Sequence, residues 1–391
     1  MTTAAAACGP LLAGAVIFGW RAVAVAGICV LACVAFEQIY YRVTQTPALL
    51  GRSHAVLTGL LLALTLPPYL PWYVPVIAAA FAIFVGKAIF GGEGHFLWQP
   101  ALVARLAVAV LSAGALLPSE ARTFWPELAP AEPVLSRQSL VLGDIRDAAP
   151  SPRPEQWSGA QAGRHDAILM VPVAQRLAPL TREAPEAPFH AYDALAWRAP
   201  GQPPRAPVAM VHLPPISEMI YGTRPGGIGE TCIAVILIAG LYLVYRSYVK
   251  WQLPVGFIFA AGLVAAIAPI RLVGPGGAVQ SHWLPVALEG LDVGLLYVAY
   301  QLTSGAIVLA AFFFATEMTT RPVTTGGQVL FGLGAGALAM MLQLYVATDI
   351  PAYLAVLAMN TFAPAIDRLW RPRVLGQSRL GILRSKSRRK G

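Results

Sequence analysis

Charge is what this sequence has least of: 12% of its 391 residues are Asp, Glu, Lys or Arg, about half the share that soluble domains carry. With 57% apolar residues and a mean hydropathy of +0.62, the chain has no means of solvating a folded surface in water. The composition therefore excludes a soluble globular domain and points to a membrane protein. Cysteine is also scarce. Cys8, Cys29, Cys33 and Cys232 lie in or beside apolar runs and no two have C-x-x-C spacing, which excludes a disulfide framework and a thiolate-held cluster within this chain alone. The six histidines (His54, His95, His165, His190, His212, His282) are scattered without a metal or haem spacing. No Walker motif, G-x-S-x-G elbow or triad-like cluster is present, which argues against a hydrolytic or nucleotide-driven enzyme.

The charge that is present is unevenly placed. The net +9 resembles a nucleic-acid signal until it is located: residues 371–391 hold eight basic groups and no acid, leaving residues 1–370 at +1. The basicity is that of a tail, suited to anionic lipid at about 1 kcal/mol per near-surface charge or to an acidic partner surface, and nucleic acid is not implied. Residues 118–218 hold 20 further charges, 11 acidic and 9 basic, with 17 of the 33 prolines. Four regions follow: a membrane block at 1–117, a polar insert at 118–218, a second membrane block at 219–370 and a basic tail at 371–391.

Apolar runs within the blocks predict about ten transmembrane helices in an all-α membrane protein. Five precede the insert (Ala4–Gly19, Ala22–Phe36, Ala55–Leu66, Trp72–Phe90, Ala101–Leu117). Five follow it (Glu230–Tyr245, Pro254–Ile270, Val293–Ala315, Val329–Ala347, Pro351–Ile366). Several fall short of the roughly 20 residues that span a bilayer. Placing both termini in the cytoplasm collects Arg42, Arg52, Lys87, Arg246, Lys250, Arg321 and the tail on the inner side, in accord with the positive-inside rule. The insert is then extracytoplasmic, periplasmic if the membrane is a bacterial inner membrane. Its short apolar stretches, such as 167–173 and 207–213, read as strands whose prolines confine them to edges, giving a partly β module with disorder at 148–160 and 178–190.

Five spans on each side of the insert predict two inverted repeats enclosing a site near the midplane. Thr58-Gly59 and a break at Pro67-Pro68 in the third span correspond to Thr303-Ser304-Gly305 and Arg321-Pro322 in the eighth. Gln99-Pro100-Ala101 in the fifth corresponds to Asn360 with Pro364-Ala365 in the tenth.

Several strings then resemble one family in order: Phe18-Gly19-Trp20-Arg21-Ala22, Thr58 through Pro68, Gly86-Lys87-Ala88-Ile89-Phe90-Gly91-Gly92 and Pro100 through Arg105. After the insert come Gly226-Gly227-Ile228-Gly229-Glu230-Thr231, Phe313 through Glu317, Arg321-Pro322-Val323-Thr324 and Met359 through Arg368. They are similar to the family that comprises RnfD, of the Rnf electron-transport complex, and NqrB, of the sodium-translocating NADH:quinone oxidoreductase, over about residues 15–117 and 219–370. The resemblance implies a ten-helix subunit of urea-transporter-like fold within a multi-subunit redox pump, carrying flavin and working with other membrane and peripheral subunits and with quinone as a candidate acceptor. It also implies FMN joined through its phosphate to the threonine of a Ser-Gly-Ala-Thr motif. The nearest string here is Ser158-Gly159-Ala160-Gln161. A glutamine amide forms no phosphoester, so FMN or riboflavin would be held non-covalently, or not at all. Gln99 and Glu317 stand where the family usually has asparagine and aspartate, each one methylene longer.

The glycines at Gly226, Gly227 and Gly229, with Glu230 and Thr231, precede the sixth span. They either present backbone N–H groups to a flavin phosphate at a helix start or permit a close helix approach that only glycine allows. Thr58 and Ser304 are candidates to line a central cofactor site, or bond the preceding turn as Ser and Thr in membrane helices commonly do. Glu37, Lys87, Arg105 and Asp367 are expected at cytoplasmic ends as snorkelling anchors or subunit contacts. Two functions remain open at this level: a membrane subunit that positions flavin for transmembrane electron transfer, or a flavin-less anchor, assembly scaffold or passage for a small solute.

Overall fold

A computed structural model describes residues 2–45, 54–68, 70–91, 96–112, 220–222, 227–273, 279–287, 291–345 and 350–369. The whole insert with its Ser158–Gln161 string, Gly226 and the basic tail lie outside the described residues. Before the insert the helices are α1 (Thr2–Phe18), α2 (Trp20–Val43), α3 (Ala55–Thr65), α4 (Tyr73–Ala88) and α5 (Pro100–Ser112). After it come α6 (Ile233–Tyr245), α7 (Gln252–Ile267), α8 (Leu291–Thr303), α9 (Ile307–Phe314), α10 (Thr325–Tyr345) and α11 (Pro351–Leu369). The later parts of α4 (Phe81–Ala88) and α9 (Ala310–Phe314) are π-helical, a form found in short pieces and often near functional sites.

Within the described residues, nine of the ten apolar runs overlap helices, and the eighth needs correction. The run Val293–Ala315 reads as one span, but α8 and α9 meet at a 63° bend. Gly305 supplies the turn at φ 74°, a left-handed conformation that glycine adopts without the penalty a Cβ incurs. Between α7 and α8 lies an antiparallel hairpin the sequence did not announce: β1 (Ile270–Val273) pairs with β2 (Val279–His282), with Ile270 opposite His282. Among the described residues, α2 and α10 are long and apolar enough to cross a membrane individually, and the bent α8–α9 pair makes a third if taken as one span.

Packing follows from small residues that let backbones approach, the usual device where lipid removes the hydrophobic drive between helices. A Cβ on Gly336 of α10 would sit 2.0 Å from the Phe257 carbonyl of α7, and one on Gly332 would sit 2.8 Å from the Leu253 carbonyl. The Gly-x-x-x-Gly spacing thus lays α10 directly on α7. In the first block, Gly59 of α3 presses on the backbone of α2 at Val30. The described core is continuous across both blocks, joining Leu62, Leu64 and Leu66 to Ile228, Phe314 and Tyr353.

Candidate functional site

The first block ends its third helix inside the protein. α3 has 11 residues, about 16 Å of rise, and its last carbonyls have no further helical turn to bond them. Other parts of the chain satisfy them. The Ile228 and Gly229 N–H groups donate to the Leu66 and Leu64 carbonyls at 3.0 and 2.9 Å, and Arg105 Nε of α5 donates to the Thr65 carbonyl at 3.1 Å. Gly229 is required for this approach, because a Cβ there would lie 2.6 Å from that of Leu64. Gly227 leaves room for the Glu230 carboxylate, which a Cβ would meet at 2.7 Å. That carboxylate accepts a 2.5 Å hydrogen bond from the Tyr353 hydroxyl of α11, whose ring packs edge-on against Phe314 of α9. Arg105, Glu230 and Tyr353 are all buried. The seam between the two blocks is therefore polar and ionisable inside an apolar protein, where such groups are costly and mark functional candidates.

Of the sequence candidates, Gly227, Gly229, Glu230 and Thr231 belong to this seam. The N–H groups of residues 228 and 229 are engaged by α3 carbonyls, and that of Glu230 by the Gly227 carbonyl, so the described geometry is that of the close approach. Thr231 is fully buried and its hydroxyl has no hydrogen-bond partner among the described residues. Thr58 is buried within α3. Ser304 sits at the α8–α9 bend, where its hydroxyl donates to the Gln301 carbonyl and accepts from Gln343 Nε2, both at 3.0 Å. Thr65, Thr303 and Thr316 likewise bond carbonyls of their own preceding turns. The described hydrogen bonds do not join Thr58 or Ser304 to the glycine segment.

Three of the expected anchors need correction. Glu37 and Lys87 do not snorkel: each side chain is 4% exposed, and they pair at 2.5 Å between α2 and the π-helical part of α4. Burial makes this pairing compulsory, since either charge alone would be left without solvent or counter-ion. Arg105 is likewise interior at 1% exposure. Asp367, by contrast, lies towards the end of α11 and accepts from the Val323 N–H at 3.0 Å, holding the loop before α10.

A second site was not legible in the sequence, because four distant segments build it. A cavity of about 240 Å³ opens where the start of α1 (Thr2, Thr3), the start of α3 (His54, Leu57, Leu61), the end of α6 with its following turn, and the end of α9 with its following loop converge. Leu57, Leu61, Leu243, Phe312 and Phe313 make apolar walls, while His54, Tyr248 and Glu317 supply polar groups. Its volume is somewhat below the roughly 300–1,000 Å³ of pockets for drug-sized ligands, which suits a ring system better than a whole nucleotide. No lysine or arginine is among the described residues that line it. Beside it, Arg321 N–H donates to the Glu317 carbonyl; burial lowers the Arg321 guanidinium from its ordinary pKa, with the Glu317 charge acting in the opposite direction.

These features define an apolar helical membrane protein with a buried ionisable seam and a ring-sized cavity. Residues 1–376 match the NQR2, RnfD, RnfE family, and the chain belongs to it. It is 28% identical to the D component of the ion-translocating oxidoreductase complex of Halorhodospira halophila, over 94% of this chain and 88% of that protein. It is also 28% identical to the D component of the proton-translocating ferredoxin:NAD(+) oxidoreductase complex of Clostridium ljungdahlii, over 93% and 86%. Against the D component of the Na(+)-translocating ferredoxin:NAD(+) oxidoreductase complex of Acetobacterium woodii the identity is 26%, again over 93% and 86%.

Proposed function

We propose that this chain is an integral membrane subunit of an Rnf-type electron-transfer complex and that it holds a flavin ring, non-covalently, in the cavity between α3 and α9. Membership of a family whose curated relatives are subunits of ion-translocating oxidoreductases supports the first part. The observation that carries the second is the cavity itself: its volume, its apolar walls and the lack of lysine or arginine in its described lining suit an uncharged planar ring. Such a ring supplies the electron-accepting chemistry, and the protein supplies position, electrostatics and exclusion of water. An uncharged flavin such as riboflavin fits this lining better than FMN, whose phosphate would meet the Glu317 carboxylate and no lysine or arginine among the described lining residues. The glycine segment at 226–231 remains the alternative flavin position, with Thr231 as its open group.

We also read the architecture as ten spans in two inverted five-helix halves, with α8 and α9 together forming the eighth. Two corresponding contacts support this reading. The segment before α6 seals the end of α3, and Thr2 and Thr3 at the start of α1 share the cavity with Phe312 and Thr316 at and just after the end of α9. With both termini cytoplasmic in a bacterial inner membrane, the cavity faces the cytoplasm and the seam lies deeper. The basic tail then rests on anionic lipid or an acidic subunit surface.

The test is the visible spectrum of the purified chain followed by acid precipitation. Absorbance near 450 nm that is released into the supernatant is the expected result. Colour retained in the pellet would show covalent attachment elsewhere. A chain that is colourless and takes up no added riboflavin would overturn the flavin assignment and leave the scaffold or solute-passage role.

A further inference from the structure

We infer that His54 is the proton donor to the ring held in the α3–α9 cavity; this rests on the flavin reading above and assigns a role to a residue that the family motifs do not include. His54 is the N-cap residue of α3, its carbonyl accepting the Thr58 N–H at 2.8 Å. That bond fixes the backbone at the cavity mouth, and the exposed imidazole lines the cavity. Among the described residues, the titratable groups lining the cavity are His54 from α3, Tyr248 from the turn after α6 and Glu317 from the loop after α9, with Arg321 electrostatically coupled to Glu317 beside it. Among the described residues, α1 contributes Thr2 and Thr3 there.

These groups are not equivalent as donors. Thr316 commits its hydroxyl to the Phe312 carbonyl at 2.6 Å. Glu317 Oε1 accepts the Met318 N–H at 3.2 Å, and as a carboxylate it opposes negative charge growing on a ring. A phenol is a far weaker acid than an imidazolium. Imidazole is the side chain suited to giving and regaining a proton near physiological pH, and it is the sole cavity-lining group among these able to carry positive charge.

The step balances as follows. A low-potential one-electron donor supplies two electrons in succession to the ring. One N–H bond of the His54 imidazolium breaks as a bond from that hydrogen to a ring nitrogen forms. Cytoplasmic water then reprotonates the neutral imidazole, which delivers the second proton to the ring in the same way. Because both protons pass through the imidazole, its removal is felt in the rate.

The experiment uses the full-length chain in detergent with riboflavin as the probe. Binding is followed by quenching of riboflavin fluorescence, and reduction by dithionite is followed at 450 nm in a stopped-flow instrument from pH 5.5 to 8.5. Wild type is expected to bind riboflavin and to be reduced more slowly as pH rises. His54→Gln is expected to bind within about threefold of wild type, yet to be reduced at least about tenfold more slowly at pH 6 and to lose most of the pH dependence. In His54→Ala, added imidazole is expected to restore part of the rate. If wild type quenches no riboflavin fluorescence, the flavin reading fails and this assignment with it. If wild type binds but His54→Gln keeps the wild-type rate and pH profile, the cavity stands and the proton-donor assignment alone is overturned.

Discussion

The two membrane blocks solve the same problem, polarity inside an apolar protein, with different chemistry. The block before the insert uses full charges: Glu37 against Lys87, and Arg105 on the end of α3. The block after it uses neutral groups at its own broken helix. Gln343 of α10 donates to the Gln301 carbonyl, the Gln301 side-chain oxygen and Ser304 at 2.9–3.0 Å, and Asn360 lies fully buried in α11. A buried charge without its partner carries a large desolvation cost, whereas a buried amide that loses one bond retains others. The first block should therefore be brittle to single substitutions and recoverable by paired ones, and the second should be tolerant.

The sharpest way to break that contrast is Lys87→Met. It leaves Glu37 buried without its counter-ion and should cost about 3–5 kcal/mol, enough to remove most monodisperse protein in fluorescence-detected size-exclusion chromatography. The double variant Glu37→Gln/Lys87→Met should recover much of the loss, since replacing both members of a buried pair is often close to neutral. Equal damage in the single and double variants would mean that the pair does not act as a unit.

Next in size is Tyr353→Phe, which tests whether the seam belongs to the charged regime of the first block. The phenol of α11 donates to the carboxylate of Glu230, in the segment that seals the end of α3, and a hydrogen bond to a charged group contributes about 1.5–3 kcal/mol. The thermal midpoint in detergent should fall accordingly. Glu230→Gln, which keeps an acceptor oxygen but removes the charge, should fall less. Gly229→Ala probes the same seam by volume: the added Cβ meets Leu64, and overpacking of this kind costs about 1–3 kcal/mol. Leu64→Ala in the same chain should relieve part of that cost.

The sequence shows what depends on neighbours along the chain and hides what depends on neighbours in space. Helix positions follow from apolar runs, and the bend at Gly305 lies within a Thr-Ser-Gly string visible as a break signal, although the run around it reads as continuous. The glycines at 227 and 229 stand out, but both of their meanings, anion contact and close approach, produce the same string; only Leu64 and the Glu230 carboxylate distinguish them. Glu37 and Lys87 are 50 residues apart, so each alone reads as an interfacial anchor. The cavity draws on residues from Thr2 to Met318, and no local pattern announces it. His54, scattered among six histidines, acquires a task only from the walls around it.

The smallest expected effect tests the tolerant side of the comparison. Gln343→Leu removes the Nε2 that serves three acceptors around the α8–α9 bend. Ser304 continues to donate to the Gln301 carbonyl, so that oxygen keeps a partner, and the loss reduces to neutral hydrogen bonds of about 0.5–1.5 kcal/mol in net value. Gln343→Glu keeps the shape but places a carboxylate where the Gln301 carbonyl and side-chain oxygen already present negative dipoles, so it should be the worse of the two although it is closer in volume. If the order is reversed, with leucine worse than glutamate, the bend is held by a polar requirement stronger than a neutral amide supplies, and the second block is less unlike the first than their side chains indicate.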